Sequence, residues 1–397
     1  MINSGDTAFI IICTALVMLM TPAVGLFYGG MVRKKSIISM ITLAFVAFIV
    51  VAVQWVLFGY SLAFGSDIGG FIGGTDYLFM NGVGLDGEGI PDILFMCFQL
   101  VFAGLTVAIL TSGFAERIKL GAFVLFAFLW TTLVYDPLAH WAWGGGWASQ
   151  LGALDFAGGT VVHISSGFGA LVAAIVIGRR LGFGKETMKP ANIPLTLIGG
   201  ALLWFGWYGF NAGSELAADG IAANAFVVTT IAAAAGSLAW MALSWWHSRP
   251  SSLGMISGAV AGLVAITPGA GFVGPMAAIV IGAVAGCVCY GALLFRVKKG
   301  LDESLDAWAV HGVGGFFGAL ATGIFCSAAI NGVDGLIYGN VNQFVIQAVD
   351  ACAAVAYAMV MTYIIAVVID KTIGLRVPEG EEYIGLDISQ HGETTQM

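Results

Sequence analysis

Very few ionisable side chains interrupt the long apolar runs of this sequence, so each of them needs an explanation. Four stand inside or at the edge of such runs: His163, Asp306, His311 and Asp350. Ionisable groups are costly in an apolar medium and are usually kept there for pairing or for function. A lone histidine in this setting is more often a satisfied core residue than a functional one. Two histidines without Cys or Glu at ligand spacing make a poor metal site, so we expect no metal here.

The six cysteines offer no further chemistry. All lie inside apolar runs and none forms a CxxC pair; Cys287 and Cys289 are too close in sequence to share one side of a helix. Free thiols that behave as small buried hydrophobes are the expected reading. We therefore expect no disulfide and no cofactor. No nucleophile and base stand in an arrangement that would support an enzyme.

The composition indicates that these residues are positioned by membrane helices. Of 397 residues, 59% are hydrophobic and 10% are charged, whereas soluble domains carry roughly 25% charged residues. The mean hydropathy of +0.94 requires lipid as the solvent for much of the surface. We predict one all-α, multi-pass domain over residues 1–370, which moves a small solute, and a polar tail over residues 371–397. The expected location is the cell membrane.

Eleven apolar stretches are long enough to be membrane spans, since a bilayer core needs about 20 helical residues. They lie near 8–30, 37–65, 91–114, 120–139, 158–178, 193–212, 222–246, 253–267, 272–296, 306–328 and 342–370. The first stretch has no basic residues before it and ends against Arg33, Lys34 and Lys35, so it is predicted to be a retained helix and not a signal peptide.

The 15 basic residues predict the orientation. They fall at 33–35, 117–119, 179–189, 249, 296–299 and 371–376, which are every second loop and the tail. The alternate loops carry acidic residues and no Lys or Arg. Basic loops remain in the cytoplasm, so the N-terminus is expected outside and the C-terminus in the cytoplasm. Opposite sides for the two ends require an odd number of spans, and eleven satisfies this.

The two membrane histidines stand in similar surroundings. Val162-His163 is followed after three residues by GFGAL, and Val310-His311 is followed after three residues by GFFGAL. The two copies are five spans apart, as are AGLTVAI at 103–109 and AGLVAI at 261–266. An odd offset reverses the orientation, so we predict an inverted 5+5 repeat with the eleventh helix outside it. The repeat makes a functional histidine pair more plausible than two unrelated core histidines.

The most distinctive segment of the sequence is Asp155–Leu171, which reads DFAGGTVVHISSGFGAL. It resembles the signature of the ammonium transporter family, which includes the methylammonium permeases and the Rhesus proteins. The other similar segments are TPAVGLFYGGMVRKK (21–35), FQLVFAGLTVAI (98–109), AHWAWGGGW (139–147), WYGFNAGSE (207–215), AITPGAG (265–271), AVHGVGGFFGAL (309–320) and GLDISQHGE (385–393). The resemblance implies ammonium or ammonia as the solute.

The resemblance also implies an outer binding site. In the family, an outer vestibule collects ammonium between an aromatic wall and a serine. The matching positions here are Phe98, Phe102, Trp143 and Ser214. A Trp face attracts a cation and a serine oxygen can accept one ammonium N–H, whereas potassium would need a shell of oxygens. Without the resemblance, the phenylalanines would be read as ordinary core.

Below this site, the resemblance implies a closed and apolar pore. Two stacked phenylalanines match Phe102 and Phe210, and the family's twin histidines match His163 and His311. The family aspartate that precedes GGT matches Asp155. We expect this carboxylate mainly to cap the fifth span and secondarily to favour the cation by its charge.

The resemblance leaves the partners and one alternative function to be tested. A homotrimer is implied, and the tail could respond to a trimeric regulatory protein of the PII type. Tyr383, Ile384, Leu386 and Ile388 interrupt the polar tail, so we expect it to dock on the cytoplasmic helix ends. Some family members use the same pore as an ammonium sensor. A sensor would be expected to carry an additional soluble output domain.

Overall fold

Helices account for nearly all regular structure in the computed structural model, which describes residues 1–395. Eleven of them are long and apolar enough to cross a bilayer, which confirms the predicted number of spans in this part of the chain. They are α1 Ser4–Met31, α2 Lys34–Phe64, α3 Asp92–Phe114, α4 Leu120–Leu151, α5 Gly159–Ile177, α6 Ile193–Gly213, α7 Gly220–His247, α8 Ser252–Gly269, α9 Pro275–Lys299, α10 Trp308–Phe325 and α11 Val341–Thr372.

The fourth span differs most from its predicted bounds of 120–139. Its regular helix continues to Ala142, turns at residues 143–146 and resumes as Trp147–Leu151. Gly145 adopts φ +84°, a left-handed conformation that interrupts a helix and that glycine takes without strain. The turn places Trp143 at the end of the helix, so its indole does not have to pack along the helix surface.

Helices α1 and α6 pack along their lengths through glycines of α6. A Cβ on Gly206 would lie 2.2 Å from Cγ of Met20, and one on Gly209 would lie 2.7 Å from the carbonyl oxygen of Cys13. Only a residue without a side chain permits this approach. Close packing is the main force that holds helices together in lipid, so these glycines stabilise the bundle.

Helices α5 and α10 cross at the middle of the bundle with reciprocal contacts. Each begins with a π-helical turn that contains its histidine, at Gly159–Ile164 and at Trp308–Gly312. A Cβ on Gly167 would lie 2.1 Å from the nitrogen of Gly312, the residue after His311, and a Cβ on Gly315 would lie 3.1 Å from the nitrogen of Ile164, the residue after His163. Gly167 and Gly315 follow the two histidines at the same distance, so the crossing has the symmetry that an inverted repeat predicts.

The two ends of the bundle differ in charge. We call the end with the Lys- and Arg-containing loops the basic end and the other the acidic end. At the acidic end, a short antiparallel hairpin, β1 Asp67–Ile68 and β2 Ile72–Gly73, covers α4. His140 bonds there through its two ring nitrogens to the Ala63 carbonyl and the Asp67 carboxylate, both at 2.9 Å.

A buried ion network joins the loops at the basic end. Arg180 contacts Glu116 and Asp302, each at 2.8 Å, and Arg33 also pairs with Glu116. Arg117, whose side chain is fully buried, contacts Asp302 at 3.2 Å. Burial alone would raise the pKa of the Asp302 carboxyl, but the hydrogen bonds and charge of Arg180 and the charge of Arg117 hold it below its ordinary value. The network therefore connects the basic ends of α1, α3, α5 and α9.

The Asp306 carboxyl lies just before α10 and pairs with Arg296 at 2.6 Å. It is therefore a loop residue at the basic end and not an isolated membrane charge. Burial raises its pKa to about 6, with Arg296 acting in the opposite direction. The pairing accounts for one of the four ionisable residues that the sequence singles out.

The described part of the tail docks on the basic end through two short helices, α12 Glu379–Ile384 and α13 Leu386–His391. The buried Glu382 carboxylate binds Arg376 at 2.7 Å and accepts the Leu181 N–H at 2.6 Å. Asp387 accepts the Ser39 N–H at 2.8 Å, and Leu386 is fully buried. The tail thus contacts α2 and the loop after α5. Residues 396–397 of the predicted tail lie outside the described residues.

Candidate functional site

A cavity of about 270 Å³ opens toward the acidic end between α3, α4 and α6. Its walls are mostly aromatic, with one amide and one hydroxyl among them. The lining residues are Phe64, Phe95, Gln99, Phe102, Trp143, Phe156, Ser214 and Leu216. Three of the four residues expected in the outer binding site therefore line one cavity. The fourth, Phe98, is buried, packs against Phe102 with ring centroids 4.9 Å apart, and is not among the described lining residues.

The hydrogen bonds of Ser214 and Trp143 fix what they can offer to a solute. The Ser214 hydroxyl donates its proton to the Phe210 carbonyl at 2.8 Å, so its oxygen keeps lone pairs that can accept. The Trp143 indole N–H donates to the Asp155 carbonyl at 2.8 Å, which fixes the ring. The neighbouring Glu215 lies at the same end, and burial raises its pKa to about 7. An acceptor and an aromatic face suit a small cation with N–H donors.

Two phenylalanine rings close the bottom of this cavity. Phe102 and Phe210 stack with centroids 4.2 Å apart and an interplanar angle of 24°. Both are buried, with 1% and 0% of their surface exposed. Trp143 meets Phe102 edge-on at 6.2 Å, so the cavity wall and the gate are in direct contact. The stacked rings therefore separate the cavity from the residues beneath them.

The two histidines meet directly below the gate. Nδ1 of His163 lies 3.2 Å from Nδ1 of His311, and both side chains are buried. The His163 ring stacks on Trp207 at 5.3 Å and on Phe210 at 5.7 Å. Its Nε2 has no hydrogen-bond partner among the described residues. The sequence-predicted pair is therefore formed, and its surroundings are aromatic.

This geometry constrains the protons of the pair. Each neutral imidazole carries one N–H, and the Nδ1–Nδ1 bond uses one of the two. The donor ring then has a bare Nε2 and the acceptor ring has a protonated Nε2. The pair therefore presents one donor and one acceptor at its outer nitrogens, with no net charge.

Asp155 caps the start of α5. Its Oδ1 accepts the N–H groups of Gly158 and Gly159 at 2.9 and 2.6 Å. Its Oδ2 accepts the Thr160 N–H at 2.8 Å, the Thr160 hydroxyl at 2.5 Å and the Val161 N–H at 3.2 Å. These donors are the unpaired groups of the first helical turn. The carboxylate thereby fixes the segment that leads to His163.

A matching cap that sequence reasoning missed lies on the other repeat. Glu303 precedes His311 at the same separation as Asp155 precedes His163, and it is fully buried. Its carboxylate accepts the Ala307 and Trp308 N–H groups at 3.3 and 3.2 Å, and the Ser112 hydroxyl also donates to it. The repeat itself could have revealed this residue, since it relates Glu303 to Asp155.

Trp207 is a second residue that sequence reasoning missed. Its ring covers His163, and its indole N–H donates to the Thr267 hydroxyl at 2.9 Å. Thr267 in turn lies 3.2 Å from Asn211, so a buried polar chain fixes the ring. Trp207 belongs to the segment WYGFNAGSE, in which the sequence predicted site roles for Phe210 and Ser214 only.

Comparisons with known proteins identify the family of this chain. The model of the Ammonium Transporter Family matches residues 8–396. Ammonium transporter Amt1 of Archaeoglobus fulgidus is 54% identical over 391 residues, which cover 98% of this chain and 99% of that protein. The ammonium transporter of Bacillus subtilis is 49% identical over 399 residues, 98% of each chain.

Solved structures show the same fold. The crystal structure of Saccharomyces cerevisiae Mep2 superposes with a TM-score of 0.91 at 36% identity, covering 96% of this chain and 89% of that one. A sensor Amt protein superposes with a TM-score of 0.92 at 29% identity, covering 98% of both. With the family match over almost the whole sequence, these likenesses show that this multi-pass membrane protein belongs to the ammonium transporter family.

Proposed function

We propose that this protein takes up ammonium by binding the cation in the acidic-end cavity and passing the solute between Phe102 and Phe210 to the histidine pair. The observation that carries the proposal is a succession of three neighbouring sites. They are a cavity suited to a cation, a closed pair of aromatic rings, and an uncharged imidazole pair in an apolar environment. The curated relatives named as ammonium transporters support the same substrate.

The cavity favours ammonium over potassium by chemistry and not by size. The Trp143 face attracts any cation by roughly 0.5–2 kcal/mol, depending on how far the site is dehydrated. The Ser214 oxygen accepts one N–H, which adds about 1 kcal/mol for ammonium. A potassium ion would lose its water shell and find a single hydroxyl oxygen and one amide instead. The site therefore retains ammonium.

The segment below the gate favours the neutral form of the solute. Among the described residues, no Asp, Glu, Lys or Arg side chain forms a hydrogen bond or an ion pair with either histidine. A dehydrated cation would have nothing to offset its loss of hydration, whereas ammonia would keep hydrogen bonds to the imidazoles. We infer that the segment at the histidine pair passes ammonia more readily than a dehydrated ammonium ion.

The first test concerns the cavity. Ser214→Ala and Trp143→Leu should each weaken ammonium recruitment by about 1 kcal/mol without closing the pore. The loss should appear at low ammonium and fade at saturating ammonium, because the variants bind less tightly but conduct normally. Initial uptake rates in proteoliposomes at several ammonium concentrations would measure this.

Controls for this test are available on the same chain. Ser149→Ala and Trp246→Leu change exposed residues outside the cavity, and their uptake should match the unmodified protein. If the double variant at 143 and 214 takes up low ammonium at the normal rate, the two residues serve packing alone.

We further propose that the acidic end faces outward and the basic end faces the cytoplasm, as the loop charges predict. A cysteine placed at exposed Asp86 should then react in intact cells with an impermeant thiol reagent, and one at exposed Lys185 should not. The exposed Cys287 and Cys352 should first be replaced. Labelling at 185 in intact cells with none at 86 would show that the orientation is the opposite of the proposed one.

An ammonium sensor that uses the same cavity is a second candidate. The likeness to the sensor Amt protein supports it, although at 29% identity this likeness is weaker than the 54% identity to a transporter. Uptake by the purified protein separates the two. A sensor would bind ammonium in the cavity without sustained flux through the gate.

We also propose that the domain at 1–370 assembles as a homotrimer and that the tail at 371–397 regulates it, with a PII-type protein as a partner at the basic end. The docked contacts of Glu382, Leu386 and Asp387 support a tail that holds the basic ends of α2 and α5 in place. A protein that binds this end could then act on the exit of the pore.

The tail gives a separate prediction. Deleting residues 377–397 should reduce transport and leave assembly and membrane insertion intact. Glu382→Gln should reproduce part of the loss, because it removes the charge that Arg376 binds. Glu379→Gln changes an exposed carboxylate and serves as the control. Full uptake by the truncated protein at equal membrane abundance would show that the tail has no role in transport.

A further inference from the structure

His140 is a buried histidine of α4 that the proposed mechanism leaves without a role. Its side chain has no exposed surface. Both ring nitrogens are engaged, because Nδ1 lies 2.9 Å from the Ala63 carbonyl oxygen and Nε2 lies 2.9 Å from Oδ1 of Asp67. A buried polar group is costly unless it is paired, and here each nitrogen has a partner.

The two partners determine how many protons the ring carries. A backbone carbonyl oxygen and an ionised carboxylate accept hydrogen bonds and do not donate them. A neutral imidazole has a single N–H, so it would donate to one partner and turn a lone pair toward the other. The ring donates to both partners only when both nitrogens are protonated. With an ionised Asp67, the geometry therefore requires His140 to be an imidazolium.

Three observations indicate that Asp67 is ionised. Its two oxygens accept the Gly70 N–H at 2.8 and 3.0 Å within the hairpin. One third of its side chain is exposed, so water solvates the charge. The hydrogen bond from the His140 ring, together with that from the Gly70 backbone, outweighs the opposing effect of burial and holds the pKa of the Asp67 carboxyl below its ordinary value.

The bond between His140 and Ala63 lies against the turn that carries Trp143. The His140 carbonyl oxygen accepts the Gly144 N–H at 3.0 Å and the Gly146 N–H at 2.9 Å. A Cβ on Gly144 would lie 2.0 Å from the Ala63 oxygen and 2.5 Å from Nδ1 of His140. The backbone of the turn therefore packs directly on this bond, and His140 holds the turn through both its side chain and its carbonyl.

The turn is fixed at two further points. The Trp147 N–H donates to the Gly70 carbonyl at 2.9 Å, which joins the end of the turn to the hairpin. The Trp143 indole N–H donates to the Asp155 carbonyl at 2.8 Å. His140 supplies the contact at the start of the turn, where the regular helix ends and the backbone leads to the cavity wall.

We propose that His140 is an imidazolium that donates to both Ala63 and Asp67, and that it acts as a positioning residue for Trp143. The inference deepens the proposed function, because it rests on Trp143 as a wall of the ammonium-binding cavity. The two hydrogen bonds hold the end of the helix against α2 and the hairpin, so the Trp143 ring keeps its place. Because Asp67 carries the balancing charge, the buried imidazolium adds no net charge beside the cavity.

Solid-state NMR of the protein in lipid, labelled with ¹⁵N-histidine, tests the protonation without a transport measurement. At neutral pH, the signal that disappears in H140Q should show two protonated ring nitrogens. D67N replaces the carboxylate with an amide that can donate to Nε2, so this signal should change to a neutral ring with its proton on Nδ1. The change in D67N identifies the signal even if H140Q folds poorly.

A matched control for D67N lies at the same end of the bundle. D86N removes an exposed carboxylate and should leave the His140 signal unchanged. A neutral His140 ring in the unmodified protein at neutral pH would overturn the proposal. If the ring is an imidazolium but the unmodified protein does not take up ammonium, the proposed function fails and the protonation of His140 stands.

Uptake by substituted proteins tests the positioning role. H140L loses both hydrogen bonds and should raise the ammonium concentration for half-maximal uptake by about tenfold, the effect of two ordinary hydrogen bonds. The maximal rate should stay within about twofold, because the pore beneath the cavity is unchanged. D67N keeps both contacts with a neutral ring and should stay within about threefold of the unmodified protein in both quantities.

The exposed His247 at the basic end serves as the control for this series. H247L should take up ammonium as the unmodified protein does. An unchanged half-maximal concentration in H140L, or a D67N loss as large as that of H140L, would contradict the positioning role. The NMR signal and the D67N result decide the matter even if H140L folds poorly.

Discussion

Asp155→Ala is expected to reduce ammonium uptake by about 100-fold or more, because it leaves several buried donors without a partner. Each buried donor that loses its acceptor costs about 1–3 kcal/mol. Four backbone N–H groups and the Thr160 hydroxyl depend on this carboxylate. The first turn of α5 should unwind or shift, and His163 should move with it. Uptake at equal membrane abundance would measure the loss.

The control is a cap of the same kind elsewhere in the bundle. Ser251 caps α8 at the basic end through the Gly254 N–H at 3.3 Å. Ser251→Ala should cost about 1 kcal/mol of stability and leave uptake nearly unchanged. If the Asp155→Ala protein keeps more than half of its uptake, the cap is not needed to position the histidine.

The second large effect is expected at the histidine pair. His163→Asp, and equally His311→Asp, should raise potassium passage relative to ammonium by at least about tenfold, since a charge pair at about 4 Å is worth several kcal/mol at an effective dielectric constant of about 20. A fixed negative charge would stabilise a dehydrated cation where a neutral imidazole does not. The potassium current across a bilayer that contains the purified protein, divided by ammonium uptake by the same protein in proteoliposomes, would measure the ratio.

The exposed His247 at the basic end of α7 provides the matched control. His247→Asp adds the same charge outside the pore and should leave potassium passage relative to ammonium passage unchanged. If His163→Asp passes no more potassium than the unmodified protein, the uncharged segment is not what excludes ions.

Much of the fold follows from patterns that the sequence shows directly. The number of spans depends on long apolar runs, and the alternation of basic and acidic loops depends on a charge rule that acts on each loop by itself. The Asp155 cap was also predictable, because a capping residue lies close in sequence to the N–H groups that donate hydrogen bonds to it. The repeat around His163 and His311 was visible because the two histidines stand before similar glycine-rich segments.

Other features depend on contacts between distant segments. Nothing near Glu382 in the sequence indicates that its carboxylate meets the Leu181 backbone, since that contact depends on how the tail crosses the basic end. The position of Phe98 depends on the rotation of α3, which decides that Phe102 lines the cavity while Phe98 packs beside it.

The stacked gate has a kinetic consequence. An aromatic pair like Phe102 and Phe210 is worth about 0.5–1.5 kcal/mol beyond its burial, so stacking alone favours the closed arrangement of the rings by about two- to tenfold. If the pair acts as the proposed gate, we expect conduction to be intermittent, with open intervals shorter than the closed ones. We then expect the maximal turnover to be set by how often the rings part and not by how fast ammonium arrives. Uptake should therefore saturate at a rate far below the diffusion limit even when the cavity is always filled.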